Sequence, residues 1–256
     1  NDYRVMRQDQ AQRLLFPSRN TAQVRLQLLW QHAYLKRDFL PVLGGIQTSP
    51  ILYRVDKKGA ELLRREFSYG NEDLRWQGAK NLNQRFLLHT IGLGEIRLAV
   101  ELSCANRGFE LETWRDEKAL KVDYDKVQVD KRLVAVLPDA YFVVRDADGH
   151  RFHFFVEFDR GVEGVRFFKK KMTAFRLYFL GGQVTKRYGT DKIRVLTVVE
   201  GSNPEKRLKQ LRRSTKNAGG GKWFLFTGLD TLSKAQFFSD SYWLPVEGEK
   251  TRYLVK

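Results

Sequence analysis

The sequence predicts an α/β or α+β fold with a mixed central sheet. Runs of alternating or continuous apolar residues, typical of strands, cover residues 109–114, 129–136, 138–144, 154–158, 193–199 and 223–227. Amphipathic helical patterns at 165–179 and 204–213 alternate with the later strands. A hydrophobic content of 42%, with 18 Phe residues, is enough for a large core.

Composition restricts the kinds of site that the chain can build. A single cysteine, Cys104, and four scattered histidines exclude an internal disulfide and a His/Cys zinc cluster, so any metal must be held by oxygen. We expect Cys104 to be a core residue. The sequence shows no apolar run long enough to span a membrane and no signal-peptide pattern, which predicts a cytoplasmic protein without a membrane partner.

The positive charge is concentrated in one region. Of the net charge of +16, most comes from residues 160–222, which contain 17 Lys and Arg but 4 Asp and Glu. Concentrated positive charge favours a polyanion as partner, because each phosphate contact releases counterions. The alternative is a solvated basic face without a partner.

Residues 1–67 have the segment order of a winged helix-turn-helix. The segments are helix 8–15, helix 21–33, strand 34–43, strand 51–55 and helix 57–65, with a Gly-Gly turn at 44–45 between the strands. In such proteins the second helix enters the major groove of duplex DNA. The alternative is a small helical domain that only packs against the rest of the chain.

The second helix predicts the contacts with duplex DNA. Ser18 or Asn20 would cap it, and Val24 and Leu28 lie along one apolar stripe. The polar residues near its N-terminus are the candidates for base or phosphate contacts, joined by two lysines at the end of the wing: Arg19, Asn20, Thr21, Gln23, Arg25, Gln27, Lys57 and Lys58.

Turn-rich composition at 68–80 predicts a linker, which makes 81–256 the second domain. Within it, residues 81–105 have the periodicity of a long amphipathic helix.

Three carboxylates are predicted to meet at one edge of the sheet. Asp139 opens one strand of a hairpin that turns at 146–149, and Glu157 and Asp159 close the other. Residues two apart on a strand share a face. Carboxylates grouped in this way suit Mg²⁺ or Mn²⁺ at a phosphodiester site. The alternative is a surface hairpin whose carboxylates pair with Arg160 and the lysines that follow.

Several short motifs together carry a resemblance. They are the winged-helix order, His89 in the long helix, Trp114-Arg115-Asp116-Glu117, Pro138-Asp139 and Phe155-Val156-Glu157-Phe158-Asp159-Arg160-Gly161, followed by Lys170, Lys171 and Tyr178. From about residue 5 to 200 the chain resembles the replication-relaxation family of plasmids and integrative elements. The resemblance implies a C-terminal part similar to the PD-(D/E)XK nuclease fold and a role in plasmid replication and DNA relaxation.

The resemblance also implies roles for individual residues. Asp139 and Glu157 match the metal-binding Asp and Glu of that nuclease pattern, and Glu117 or Glu95 matches its helix acid. Asp159 stands where the pattern has lysine, so Lys170 or Lys171 of the following helix would have to supply that cation. Further phosphate contacts are expected from basic residues behind the site: Arg160, Arg166, Lys169 and Arg176.

Two functions follow from the sequence. One is a DNA-binding protein of a mobile element that uses both domains on double-stranded DNA. The other is a Mg²⁺- or Mn²⁺-dependent endonuclease or nickase with a displaced lysine, and the missing lysine leaves cleavage open. Tyr178 as a DNA-attacking nucleophile is disfavoured, because the paired histidines of such enzymes are absent from the sequence. A homodimer stays open, since no coiled-coil heptad indicates one.

Overall fold

The computed structural model describes residues 3–39, 49–67 and 84–255. The chain divides into two compact units, residues 1–98 and residues 99–256. The predicted linker at 68–80 lies outside the described residues, so the domain limits expected from the sequence stay predictions. Among the described residues, no helix is both long enough and apolar enough to cross a membrane.

Unit 1 combines helices with a small antiparallel sheet. Its elements are β1 (Met6–Arg7), α1 (Gln8–Leu15), α2 (Arg19–Gln31), β2 (Leu35–Phe39), β3 (Ile51–Val55), α3 (Lys57–Phe67) and the first part of α4 (Gln84–Arg107). The strands pair in the order β1-β3-β2. The predicted order of helix, helix, two strands and helix is present, while the predicted turn at 44–45 lies outside the described residues.

Helix α2 begins and packs differently from the prediction. The Ser18 hydroxyl accepts a hydrogen bond from the Thr21 backbone N–H at 3.1 Å, so the helix begins at residue 19 rather than 21. Its buried residues are Ala22 and Leu26. The predicted apolar stripe is wrong, since Val24 is 49% exposed and Leu28 is also exposed.

A buried acid joins α1 to α4 within unit 1. The carboxylate of Glu95 is 3% exposed and accepts hydrogen bonds from Gln10 at 3.0 Å and Arg7 at 3.3 Å, and it also pairs with Arg13. These contacts occupy both of its oxygens, which gives Glu95 a structural function in place of the helix-acid role considered from the sequence.

Unit 2 is built on a mixed six-stranded sheet in the order β11-β10-β9-β8-β7-β4, in which β8, β9 and β10 are parallel. Its elements after α4 are β4 (Glu110–Asp116), α5 (Glu117–Leu120), β5 (Lys126–Val129), β6 (Arg132–Ala135), β7 (Ala140–Arg145), β8 (Arg151–Asp159), α6 (Val165–Leu180), α7 (Gln183–Tyr188), β9 (Ile193–Val199), α8 (Pro204–Asn217), β10 (Phe224–Gly228), α9 (Leu229–Leu232) and β11 (Leu244–Pro245). The α/β or α+β class with a mixed sheet is confirmed.

The two faces of the unit 2 sheet have separate cores. On one face, Phe155 packs against Phe175 of α6, with ring centroids 5.7 Å apart. On the other, Phe154 stacks on Phe142 at 4.8 Å. Because side chains alternate along a strand, every second residue of β8 after Phe155 also faces the α6 side.

Two predictions for unit 2 are corrected. Residues 129–136 form a hairpin of β5 and β6 rather than one strand, because Asp130 adopts a positive φ of 52° and reverses the chain. Helix α8 continues to Asn217, beyond the predicted end at 213. The strand at 193–199 is confirmed with the predicted limits.

Two helical glycines of unit 1 should respond in opposite ways to alanine. A Cβ at Gly59 of α3 would lie 2.2 Å from the Tyr34 carbonyl oxygen, whereas a Cβ at Gly94 of α4 would meet Tyr3 at an ordinary 3.5 Å. We expect Gly59→Ala to lower the free energy of unfolding by about 1–3 kcal/mol. Gly94→Ala should raise it by up to about 1 kcal/mol. Urea denaturation measures both, and equal effects would contradict the close approach at Gly59.

Candidate functional site

The register of the unit 2 sheet brings the predicted carboxylates to one edge. Ala140 at the start of β7 pairs with Asp116, the last residue of β4, and with Val156 of β8. Asp139 and Glu157 therefore occupy neighbouring positions, and Glu157 in turn pairs with Thr197 of β9. Glu157 and Thr197 are adjacent on two strands and point to the same side of the sheet.

Asp139 is held in place by the strand beside it. Its backbone N–H donates to the Val156 carbonyl at 2.9 Å, and its Oδ2 accepts a hydrogen bond from the Phe158 N–H at 2.7 Å. The carboxylate is thereby fixed at the start of β7, with Oδ1 turned to the α6 side.

Lys171 of α6 supplies the cation of this cluster. Its Nζ lies 2.6 Å from Glu157 Oε2 and 3.6 Å from Asp139 Oδ1. It reaches them because it shares a helix face with Phe168 and Phe175, three residues before and four after it, which are buried against the sheet. Lys170, the other lysine considered from the sequence, is exposed. Of the two candidates, the structure brings Lys171 to the carboxylates.

The net effect of burial and the neighbouring charges is to raise the pKa values of both Glu157 and Lys171, so both groups keep their protons to a higher pH than usual. Burial raises the pKa of Glu157 well above its ordinary value, and the neighbouring Asp139 carboxylate acts in the same direction, against Lys171. Burial alone would lower the pKa of Lys171, but Asp139 and Glu157 outweigh it and the pKa is raised. Lys171 therefore stays an ammonium group within hydrogen-bond distance of Glu157.

Two buried oxygens at this edge have no hydrogen-bond partner among the described residues. They are Glu157 Oε1 and Thr197 Oγ1, which belong to side chains that are 4% and 0% exposed. An unpaired buried polar atom costs about 1–3 kcal/mol. Together with Asp139 they form a set of hard oxygen donors, which is the set that Mg²⁺ and Mn²⁺ take in proteins. The chemistry of these donors fits a divalent cation, while in this structure the Lys171 ammonium lies between the two acidic side chains.

Asp159 lies on the same face of β8 but has other partners. Its carboxylate receives two hydrogen bonds from Arg207 of α8, at 2.8 and 2.7 Å, and one from the Gly161 N–H at 2.9 Å. It is 7% exposed. Both oxygens are engaged by this arginine, so the geometry gives Asp159 an anchoring function for α8 rather than the site role expected from the sequence.

The other predicted site residues of unit 2 are dispersed. Glu117 follows β4 at the same sheet edge and pairs with Lys121 at 2.7 Å. Arg160 pairs with Glu200 at 3.1 Å, and the guanidinium of Arg176 lies close to Gly219. Exposed positions on α6 are occupied by Arg166 and Lys169.

Tyr178 and Cys104 are unsuited to nucleophilic chemistry. Tyr178 is buried, and its hydroxyl donates to Asp125; burial and this hydrogen bond raise its pKa. Burial raises the pKa of the Cys104 thiol to about 12, which leaves it protonated.

In unit 1 most candidate DNA contacts are on the surface. The exposed residues are Arg19, Asn20, Gln23, Arg25, Lys57 and Lys58. Gln27 is half-buried, and the Thr21 hydroxyl lies 2.9 Å from that of Ser18, within the helix cap. The exposed group therefore covers the N-terminal half of α2 and the start of α3.

Sequence reasoning missed Thr197 and Arg207. Thr197 had a usable signal, since it is the polar residue within the apolar run at 195–199 of β9. Arg207 had none, because it is one of six basic residues in α8 and only the packing of that helix selects it for Asp159.

Removal of Arg207 should be far more costly than removal of its neighbour Arg160. Arg207→Met leaves the buried Asp159 carboxylate uncompensated, for which we expect a loss of about 3–5 kcal/mol in the free energy of unfolding. Arg160→Met breaks a pair whose partner Glu200 is 42% exposed, at a cost of about 1 kcal/mol or less. Chemical denaturation compares the two. Equal losses of unfolding free energy would mean that the buried Asp159 carboxylate is not stabilised by Arg207.

The protein-family model described as Replication-relaxation matches residues 1–193 of this chain. No curated protein and no solved structure matches significantly. The matched segment contains α1 to α7 and the Asp139, Glu157 and Lys171 cluster, and it ends at the start of β9. The match indicates a role in the replication or relaxation of plasmids or other mobile elements. The chain belongs to the replication-relaxation family.

Proposed function

We propose that the protein is a double-stranded DNA-binding protein of a mobile element, which contacts DNA through a winged helix in unit 1 and through the basic surface of unit 2. The observation that carries the proposal is the exposed polar N-terminal half of α2. Helix α2 follows α1 after a short turn and is capped at Ser18.

The sheet of unit 1 supports the winged-helix interpretation. Strands β2 and β3 follow α2 along the chain and pair antiparallel in the sheet order β1-β3-β2. Helix-turn-helix proteins present the N-terminal residues of the second helix to base edges. Asn20 and Gln23 have side chains that make bidentate contacts with adenine, and Arg19 and Arg25 suit guanine or phosphate.

Covalent linkage would make the two contacts cooperate. Once one unit is bound to DNA, the other is held at a high local concentration near the flanking phosphates. Such a protein combines selective contacts from α2 with salt-dependent contacts from the basic region at 160–222.

The two exposed glutamines of α2 test the winged helix. A preferred duplex is first selected from a random pool, and its affinity is compared with that of random duplexes. Gln23→Ala should reduce the discrimination by about 1–3 kcal/mol, because a base contact is lost. Gln31→Ala, at the C-terminal end of the same helix, should leave it unchanged.

Two outcomes would contradict this proposal. An affinity for duplex DNA that does not change with salt would exclude phosphate contacts and with them DNA binding of the proposed kind. Equal effects of the two glutamine substitutions would remove the N-terminal half of α2 from recognition.

The second candidate function is a divalent-metal-dependent DNA endonuclease or nickase, favoured by the contacts of Lys171 with Asp139 and Glu157. Asp139 and Glu157 would hold the cation, and Thr197 adds a further oxygen donor. A bound Mg²⁺ or Mn²⁺ would act as Lewis acid toward a phosphodiester. Lys171 would orient the attacking water or stabilise negative charge on the phosphate. In the nuclease pattern that the sequence resembles, this role belongs to a lysine at the position of Asp159.

The adjacent lysines of α6 provide a matched pair for the nuclease test. Supercoiled plasmid is incubated with Mn²⁺ and each variant, and nicked and linear products are quantified. Lys171→Met should reduce cleavage by about 10²-fold or more, as does loss of a group that stabilises transition-state charge. Lys170→Met, which removes an exposed ammonium, should retain most of the activity.

Folding must be controlled in this experiment, since Lys171→Met leaves Glu157 buried without its cation. The double variant Lys171→Met/Glu157→Gln removes both charges and should regain stability without regaining cleavage. Absence of cleavage by the wild-type protein at high concentration would exclude the nuclease function for that substrate and leave DNA binding as the proposed function.

A further inference from the structure

We propose that the exposed face of α8, formed by Lys206, Lys209 and Arg213, is a phosphate-binding surface that follows one strand of duplex DNA. The inference rests on the proposed DNA-binding function and specifies which part of the basic region makes the contacts. The concentration of charge does not by itself show which residues of α8 contact DNA, because three of its six basic residues are paired within the protein.

The six basic residues of α8 separate into two groups. Arg207 is bound to Asp159, Arg212 donates to the Pro245 carbonyl at 2.8 Å, and Lys216 pairs with Glu247 at 2.6 Å. Lys206, Lys209 and Arg213 are exposed, and none of them forms an ion pair with a described residue. They are three and four residues apart, which places them along one side of the helix.

The opposite side of α8 is fixed against the sheet. Leu208 and Leu211 are buried in the core on the α6 side, and Thr215 is fully buried. The exposed stripe therefore cannot rotate inward, and its three cations point to solvent. An open depression of about 400 Å³ runs along it, lined also by Gln210 and by Glu205, the one carboxylate among the described residues of that lining.

The start of α6 extends the surface. The Arg207 guanidinium donates to the Glu163 carbonyl at 2.7 Å, and the Ser214 hydroxyl lies 3.5 Å from the Val165 carbonyl. These contacts place the first turn of α6 beside α8. Arg166 and Lys169, the second and fifth residues of α6, are exposed and add two cations near this end of the helix.

The spacing of the stripe suits a nucleic-acid backbone. From residue 206 to 213 the helix rises by about 10 Å at 1.5 Å per residue. One strand of B-form DNA places a phosphate about every 3.4 Å along the duplex axis. Because the strand also winds around that axis, neighbouring phosphates are farther apart than this rise, and the stripe spans about two to three of them. An α-helix lying along a backbone in this way contacts phosphates without reading bases.

The test compares two triple variants with the same loss of charge. One is Lys206→Gln/Lys209→Gln/Arg213→Gln; the control is Lys131→Gln/Lys234→Gln/Lys250→Gln, at three exposed lysines in loops of unit 2 outside residues 160–222. Affinity for a fluorescent duplex is measured by anisotropy between roughly 50 and 200 mM salt. The α8 variant should lower the slope of log affinity against log salt by about 2–3, since each lost phosphate contact contributes about 0.9.

The control variant should keep a slope near that of the wild-type protein. A wild-type slope in the α8 variant, or an equal decrease in both variants, would overturn the assignment of the surface to α8 while DNA binding stands. A wild-type protein without salt-dependent DNA binding would overturn the surface and the proposed function together. Thermal unfolding of both variants checks that the exposed substitutions leave the fold intact.

Lysine acetylation gives a readout that needs no substitution. With duplex DNA bound, Lys206 and Lys209 should be protected from acetylation, whereas Lys131, which is exposed and lies outside residues 160–222, should react as in the free protein. Equal reactivity of all three lysines with and without DNA would contradict the proposal.

Discussion

The face of β8 that turns toward α6 and α8 carries two buried carboxylates, and each requires a cation from one of these helices. Glu157 receives Lys171 from α6, and Asp159 receives Arg207 from α8. Since an unpaired buried charge costs several kcal/mol, neither helix can leave the sheet without a large loss of stability. Together with the apolar packing of Phe168 and Phe175 on α6 and of Leu208 and Leu211 on α8, these two pairs fix both helices against the sheet.

The two pairs differ in how completely they are satisfied. Both oxygens of Asp159 are hydrogen-bonded, whereas one oxygen of Glu157 has no partner among the described residues, and neither has the hydroxyl of Thr197 beside it. A buried ion pair adds little stability compared with apolar residues of the same size. A buried oxygen without a hydrogen-bond partner lowers the stability further. Stability therefore explains the Asp159 pair better than the Glu157 cluster. Locally unfavourable chemistry of this kind is typical of functional sites.

Local patterns predicted those parts of the fold and site that depend on neighbouring residues. The hairpin of Asp139 and Glu157, the limits of β9 and the order of elements in unit 1 follow from strand alternation, turn residues and helix periodicity. The choice of Lys171 over Lys170 was also present in the sequence, because Lys171 falls on the stripe of Phe168 and Phe175. The exposure of Val24 and the pairing of Arg207 were not, since both depend on contacts between distant segments.

The absence of a lysine at position 159 has a structural consequence beyond the nuclease pattern. With the cation supplied by α6, position 159 is available for a carboxylate that holds α8, and α8 carries the free cations Lys206, Lys209 and Arg213. One strand thus fixes both the carboxylate cluster and the basic helix face. Because Glu157 and Asp159 are two residues apart, a phosphate backbone held on α8 would pass at a set distance from the cluster. The pairing of Lys171 with Glu157 and the placement of the basic face of α8 therefore both depend on side chains of β8.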